Sequence, residues 1–200
     1  MTTGEGGMLT GPTSVLEKAR QMALHGMSRN AWNRCAKGGS WRYDVVFPGF
    51  KYNMSDIQSS LGLVQLARLP ELHSLRQKIV AAYDEAFAQS QWVKPLTVRA
   101  QNDSAHHLYV IQLSLERLTI DRDQFIVELT ERNIGSSVHY VPIHMHSYYA
   151  NKYKFKPQDF PVAARAFERM VSLPLSARMT VSEAHDVIAA VEDICRKFKR

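Results

Sequence analysis

The spacing of apolar and polar positions predicts a chain of short elements whose rhythm changes midway. Residues 4–11 hold several glycines around Met8 and Leu9, which predicts a short strand or hairpin edge. A helix follows to about residue 25, with Pro12 at its first position, where a missing N–H costs nothing, and Gly26 beyond its end. Residues 26–52 have no period and are punctuated by Gly26, Gly38, Gly39, Pro48 and Gly49. Trp32, Trp41, Tyr43, Phe47, Phe50 and Tyr52 stand between them, too many aromatics for a solvated linker, so this loop is expected to be buried against something, such as another chain. Ser55 then caps a helix with the stripe Ile57, Leu61 and Val64, and Leu69-Pro70 bends or ends it. A longer amphipathic helix over 71–88 carries Leu72, Leu75, Ile79, Tyr83 and Ala86 at three- and four-residue steps.

Residues 89–104 are polar and read as a connection, after which the period becomes two. Tyr109, Ile111, Leu113 and Leu115 alternate, which predicts a strand over 107–115. Asp121 with Gln124 opens a helix to about residue 132, with Phe125, Ile126 and Leu129 as its apolar face and Gly135 as its C-terminal cap. A second strand is predicted over 136–141, helical turns near 147–153 and 161–169, and a short third strand over 171–173. Thr180 and Glu183 form a capping box for a last helix, whose Ala184, Val187, Ile188, Val191, Ile194 and Phe198 share one face. Strand and helix alternate through this half, so the fold class is α/β, with a small C-terminal domain.

Composition narrows the class. Of 200 residues 45% are hydrophobic and 22% charged, which excludes a disordered or collagen-like chain. The net charge of +6 permits contact with phosphates or acidic ligands but is too dispersed to announce nucleic acid. Cys35 and Cys195 are in no metal-ligand spacing and read as free thiols in a reducing compartment. No apolar run reaches the roughly 18 residues of a membrane span, and the start lacks the basic and apolar regions of a signal peptide, so the expected location is cytoplasmic.

Three segments hold candidate chemistry. Residues 3–7 (Thr-Gly-Glu-Gly-Gly) are neither a dinucleotide fingerprint nor a P-loop, and by glycine chemistry alone they are a tight turn. Lys51, Tyr52, Asn53, Met54, Ser55 and Asp56 precede a helix; an amide beside free helical N–H groups suits an anion, and a plain Ser N-cap accounts for the same residues. His139-Tyr140-Val141-Pro142-Ile143-His144 ends a strand. No carboxylate pattern joins its histidines, so polar groups lining a cleft are favoured over a metal site, with His106 and His107 beside them. The basic end, Arg196 to Arg200, reads as a solvated helix terminus.

Residues 2–8 (Thr-Thr-Gly-Glu-Gly-Gly-Met), 48–58 (Pro-Gly-Phe-Lys-Tyr-Asn-Met-Ser-Asp-Ile-Gln), 61–66 (Leu-Gly-Leu-Val-Gln-Leu) and 139–144 occur in this order. Together they resemble the DegT/StrS family of pyridoxal-phosphate-dependent nucleotide-sugar aminotransferases over nearly the whole chain, and the second block is the most specific. The nearest likeness is to the UDP-4-amino-4-deoxy-L-arabinose–oxoglutarate aminotransferase branch. The resemblance implies a homodimer of fold-type I architecture, with pyridoxal phosphate as cofactor, a nucleotide sugar and an amino-acid donor as substrates, and neither nucleic acid nor membrane as partner. Residues 1–89 would be the remnant of the cofactor-binding large domain with an interface loop and bridging helices, and 90–200 the small domain. Asn53 would reach the cofactor phosphate of the other subunit, Gly4 and Glu5 would turn the chain beside the cofactor, and His139, Tyr140 and His144 would line the substrate side.

The family's Schiff-base lysine stands just before the Thr-Thr-Gly-Glu-Gly-Gly segment, and no lysine of this chain matches it; some relatives carry histidine there and dehydrate the sugar instead. No catalytic residue is therefore assigned here. The chain is expected to be the C-terminal half of a family member, inactive alone and prone to self-association through the apolar surface the other half would cover. The alternatives are a non-catalytic aminotransferase-like oligomerisation module or a degraded gene product.

Overall fold

The computed structural model describes residues 1–28 and 42–200. Expectations that rest on Trp32, Cys35, Gly38, Gly39 and Trp41 lie outside the described residues. The chain forms two compact units, Met1–Leu69 and Pro70–Arg200.

In the first unit, α1 (Thr13–Ala23) starts after Pro12, which serves as its N-cap and not as its first helical residue. No strand forms at Met8 and Leu9; both are exposed. The segments on either side of residues 29–41 run antiparallel. Isolated bridges join Leu24 to Lys51 and Met27 to Val45, and backbone N–H groups of His25, Val46 and Tyr52 donate to the carbonyls of Phe50, Gly26 and Ala23 at 2.8–2.9 Å. The part of the aromatic loop that is described is thus a narrow ribbon, with Tyr43, Phe50 and Tyr52 exposed. Gly26 is the one buried residue of this unit among those described.

Helix α2 (Asp56–Phe87) starts at the expected Ser55 cap but neither ends nor restarts at Pro70, which lies inside it. Proline's fixed φ is helical, so the penalty is one lost N–H bond and a local clash of about 3 kcal/mol, and the apolar face that follows outweighs it. That face is the predicted one: Ile79, Tyr83 and Phe87 are buried, with Leu72 and Leu75 half-buried.

The second unit holds an antiparallel three-stranded sheet in the order β1 (Val93–Pro95), β2 (Tyr109–Leu113), β3 (Met170–Leu173). β1 lies in the segment read as a connection. Its Pro95 is tolerated because β1 is an edge strand with a single neighbour. On β2, Tyr109, Ile111 and Leu113 are buried in alternation, as period two requires. Ile111 pairs with Val171, so the two fully buried residues meet at the centre of the sheet.

Helices α3 (Arg122–Glu131), α4 (Ser147–Tyr153), α5 (Pro161–Arg169) and α6 (Val181–Lys197) complete the unit. Asp121 caps α3 by accepting from the Gln124 N–H at 2.8 Å. The left-handed residue after α3 is Asn133 (φ 61°), not Gly135, because Asn tolerates that conformation and stands closer to the last turn. The Thr180–Glu183 capping box is present at α6, and Ala184, Val187, Ile188, Val191 and Ile194 are buried. The expected strand over 136–141 reduces to a single bridge between Ser137 and Ser172, since Pro142 lacks an N–H and the segment turns away. One core joins α2, the sheet, α3 and α6.

Candidate functional site

In the first unit the ribbon delivers Asn53 to the start of α2. Tyr52 is held by its bond to Ala23, and three residues on Ser55 caps the helix. Gln58 completes that cap: its Oε1 accepts from the Ser55 N–H at 3.1 Å, and its own N–H donates to Ser55 Oγ at 3.3 Å. The same amide donates from Nε2 to the Glu5 carbonyl at 2.9 Å, tying the glycine turn to the first turn of α2. Gln58 was missed as a site residue, although Ser-x-x-Gln is a capping-box pattern visible in sequence.

The turn is built around Gly4 (φ 80°), a left-handed position natural to glycine. Thr3 Oγ1 donates to the Glu5 carbonyl at 2.7 Å and closes it. A cleft of about 630 Å³ opens here, and Glu5, Gly6, Gly7, Arg20, Asn53 and Gln58 are its polar and glycine lining. Arg20 of α1 adds a cation that sequence reading did not single out. The half-buried Asn53 accepts from Lys51 Nζ on its Oδ1. Gly4 itself lines a neighbouring cleft of about 460 Å³ with Thr3, Met54 and Gly62. Gly4, Glu5 and Asn53 are therefore gathered at one helix start, where backbone N–H groups and the dipole favour an anion.

The second unit brings His139 and Tyr140 together, with ring centroids 4.8 Å apart and edge to face. His139 Nδ1 lies 2.8 Å from Ser172 Oγ. His139 lines a cleft of about 260 Å³ with His107, Ser136, Ser137 and Ser172. Tyr140 is exposed. His144 is buried against Phe160, with ring centroids 4.5 Å apart, and is not part of that cleft's lining. His107 does line it, whereas His106 stacks on His73 at 5.6 Å. Among the described residues no group of three His, Cys, Asp or Glu gathers to hold a metal ion, and no helix is long and apolar enough to cross a membrane.

Comparison with known proteins identifies the family and the fold of the chain. The spore coat polysaccharide biosynthesis protein SpsC of Bacillus subtilis is 43% identical over 198 residues, 98% of this chain and 51% of that protein. An uncharacterised protein of Methanocaldococcus jannaschii is 40% identical over 195 residues, 97% of this chain and 50% of that protein. The chain thus spans about half the length of the curated relatives it matches. Among solved structures, the PMP form of the putative sugar aminotransferase Spr1654 from Streptococcus pneumoniae superposes with a TM-score of 0.81 at 34% identity, covering 92% of this chain and 45% of that one. PseC of Helicobacter pylori, an aminotransferase involved in the biosynthesis of pseudoaminic acid, does so with a TM-score of 0.80 at 25% identity, covering 94% and 47%. These neighbours are fold-type I sugar aminotransferases, and the α/β fold here is theirs. Residues 1–192 match the DegT/DnrJ/EryC1/StrS aminotransferases, and the chain belongs to that family.

Proposed function

We propose that this chain is the C-terminal part of a cytoplasmic, homodimeric sugar aminotransferase that acts on a nucleotide-linked keto-sugar, with an amino acid as donor. Among family branches, the UDP-4-amino-4-deoxy-L-arabinose–oxoglutarate aminotransferases are the reading carried from the sequence blocks. The observation that carries the proposal is the convergence of Glu5, Gly6, Arg20 and Asn53 on one cleft at the capped start of α2.

Pyridoxal phosphate is the family's cofactor, and the cleft residues fit part of it. The Asn53 amide, the Arg20 guanidinium and the backbone of residues 6–7 are donors suited to a phosphate. The lining of that cleft holds no lysine among the described residues, and the family resemblance sets the anchoring amine just before the segment at residues 2–7. When bound, the cofactor supplies the electron sink for amino transfer. This chain's share is to bind and orient: Asn53 and Arg20 toward the anion, Gln58 holding the turn to the helix, and His139 and Tyr140 toward the sugar nucleotide. His144, buried against Phe160, is given no ligand contact in this reading.

In the first unit, Ile57, Leu61, Leu63, Val64 and Leu66 of α2 are exposed, which supports completion of this unit by another polypeptide half. The test is reconstitution. The chain is assayed with pyridoxal phosphate, glutamate and a UDP-keto-sugar, alone and after co-expression with the half of SpsC that it does not match. Amination only in the complemented sample supports the proposal. A borohydride-reducible adduct and turnover by the chain alone would overturn its partial character. No amination in either sample, with the two halves co-purifying, would favour a non-catalytic association module.

A further inference from the structure

Ser172 is 4% exposed, in the middle of β3, and its backbone exchanges two hydrogen bonds with Ser137 at 2.8 and 3.2 Å. This bridge fixes residues 136–139 against the sheet edge. Two residues past Ser137, His139 returns its ring to the Ser172 hydroxyl, with Nδ1 2.8 Å from Oγ. A seryl hydroxyl has one proton to donate and lone pairs to accept. His139 is the sole hydrogen-bond partner of this hydroxyl among the described residues. Were Nδ1 to carry the proton and donate, the hydroxyl proton would have no protein acceptor among the described residues and would turn to the cleft that Ser172 lines. Between protein groups alone, the arrangement that leaves no proton unmatched has the hydroxyl donating to Nδ1 and the ring proton on Nε2.

We propose that Ser172 is a positioning residue that holds His139 as its Nε2–H tautomer and makes that nitrogen a donor to an oxygen of the ligand in the cleft lined by Ser136, Ser137 and His139. The inference rests on the sugar-nucleotide reading for the identity of that oxygen, a diphosphate or sugar oxygen, but not for the tautomer. A neutral hydroxyl is the informative choice of partner. It orients the ring without adding the negative charge that a carboxylate would set beside an anionic ligand.

Nitrogen-15 spectra of the histidine rings in the intact chain, with His139 assigned through His139→Gln, test the first half directly. The wild-type ring is expected as the Nε2–H form. Ser172→Ala should move it toward a tautomer mixture, and Ser172→Thr, which keeps the hydroxyl, should restore it. A wild-type Nδ1–H form, or a ratio unchanged in Ser172→Ala, would overturn the proposal. The wild-type spectrum decides even if the alanine variant fails to fold. In the complemented enzyme, Ser172→Ala should raise KM for the sugar nucleotide roughly threefold to tenfold, the worth of one hydrogen bond, with a smaller change in kcat. A fall in kcat at constant KM would overturn the ligand-side role. Failure of the aminotransferase reading itself shows separately, as no turnover by the complemented wild type.

Discussion

Gly26 and Gly49 pack backbone against backbone: a methyl group on Gly49 would run into the main chain of Gly26, and one on Gly26 into the Phe47 carbonyl. Gly26 also has φ 71°. Alanine at Gly26 therefore meets both a left-handed penalty of about 1–2 kcal/mol and a collision. Gly26→Ala is expected to abolish hydrogen-exchange protection at the Val46 amide, which donates to the Gly26 carbonyl at 2.9 Å. Gly11→Ala, whose added Cβ meets nothing within 4 Å, should leave it intact. Equal protection in the two variants would refute the close approach.

Glu128 of α3 is buried at 5% exposure and accepts from Arg132 at 2.8 Å and Lys197 at 3.1 Å, while Arg132 also pairs with Asp193 at 2.7 Å. The Arg132 hydrogen bond first, then that from Lys197, holds the Glu128 carboxyl below its ordinary value. A carboxyl lowered in the folded state contributes stability above its unfolded pKa, about 4.3, and that contribution is lost as pH falls through the folded value. The urea midpoint should thus drop below about pH 4.3, and Glu128→Gln should flatten that acid limb while lowering the midpoint at pH 7. Parallel pH profiles for wild type and variant would count against the network.

Cys195 lies buried in α6, and burial pushes its thiol up to about 12. Only the thiolate reacts with alkylating agents. Iodoacetamide at pH 8 is expected to leave Cys195 unmodified in the folded chain, by peptide mass spectrometry, and to label it once urea unfolds the unit. Prompt labelling without denaturant would show that α6 opens locally.

The parts of the fold legible in sequence are those fixed by local chemistry. Thr180–Glu183 and Asp121–Gln124 mark helix starts by side chains three residues apart, and the alternation at Tyr109, Ile111 and Leu113 marks β2. What was not legible depends on distant partners. β1 is three residues long and exists because β2 lies beside it. Ser137 bridges Ser172 across 35 positions, and no local pattern announces it. α2 passes Pro70 because Ile79, Tyr83 and Phe87 are buried on the far side. At the candidate site, residue blocks marked Asn53, Gly4 and Glu5 by resemblance. Their gathering through Gln58 is a three-dimensional fact that only the Ser-x-x-Gln spacing foreshadowed.

Tyr83 tests whether that core is held by its polar contacts as well as by packing. Its ring is fully buried, and its hydroxyl donates to the Pro174 carbonyl at 2.8 Å. Tyr83→Phe removes only the oxygen and leaves that carbonyl without its side-chain donor. The expected loss is about 1–2 kcal/mol, read as a lower urea midpoint at unchanged slope. An unchanged midpoint would mean that water replaces the phenol. Ile111→Ala, in the centre of β2, should cost more, about 2–5 kcal/mol, because it opens a cavity between strands already paired at Val171.

The first unit makes the last prediction. Ile57 is 77% exposed and Leu63 71%, and Leu61, Val64 and Leu66 join them on α2, so this helix presents apolar side chains around much of its circumference. A single exposed leucine needs no account, but a contiguous group of this kind is costly in water and drives association. The chain purified alone should therefore scatter light as a species heavier than 22.8 kDa at micromolar concentration. Ile57→Lys with Leu63→Lys should shift it toward the monomer without altering the unfolding of the second unit, whose core contains neither residue. Co-expression with the complementing half should do the same to the wild-type chain by covering the helix. If the wild-type chain alone is monomeric throughout this range, the apolar face of α2 is satisfied within the chain, and the case for a completing polypeptide loses its physical basis.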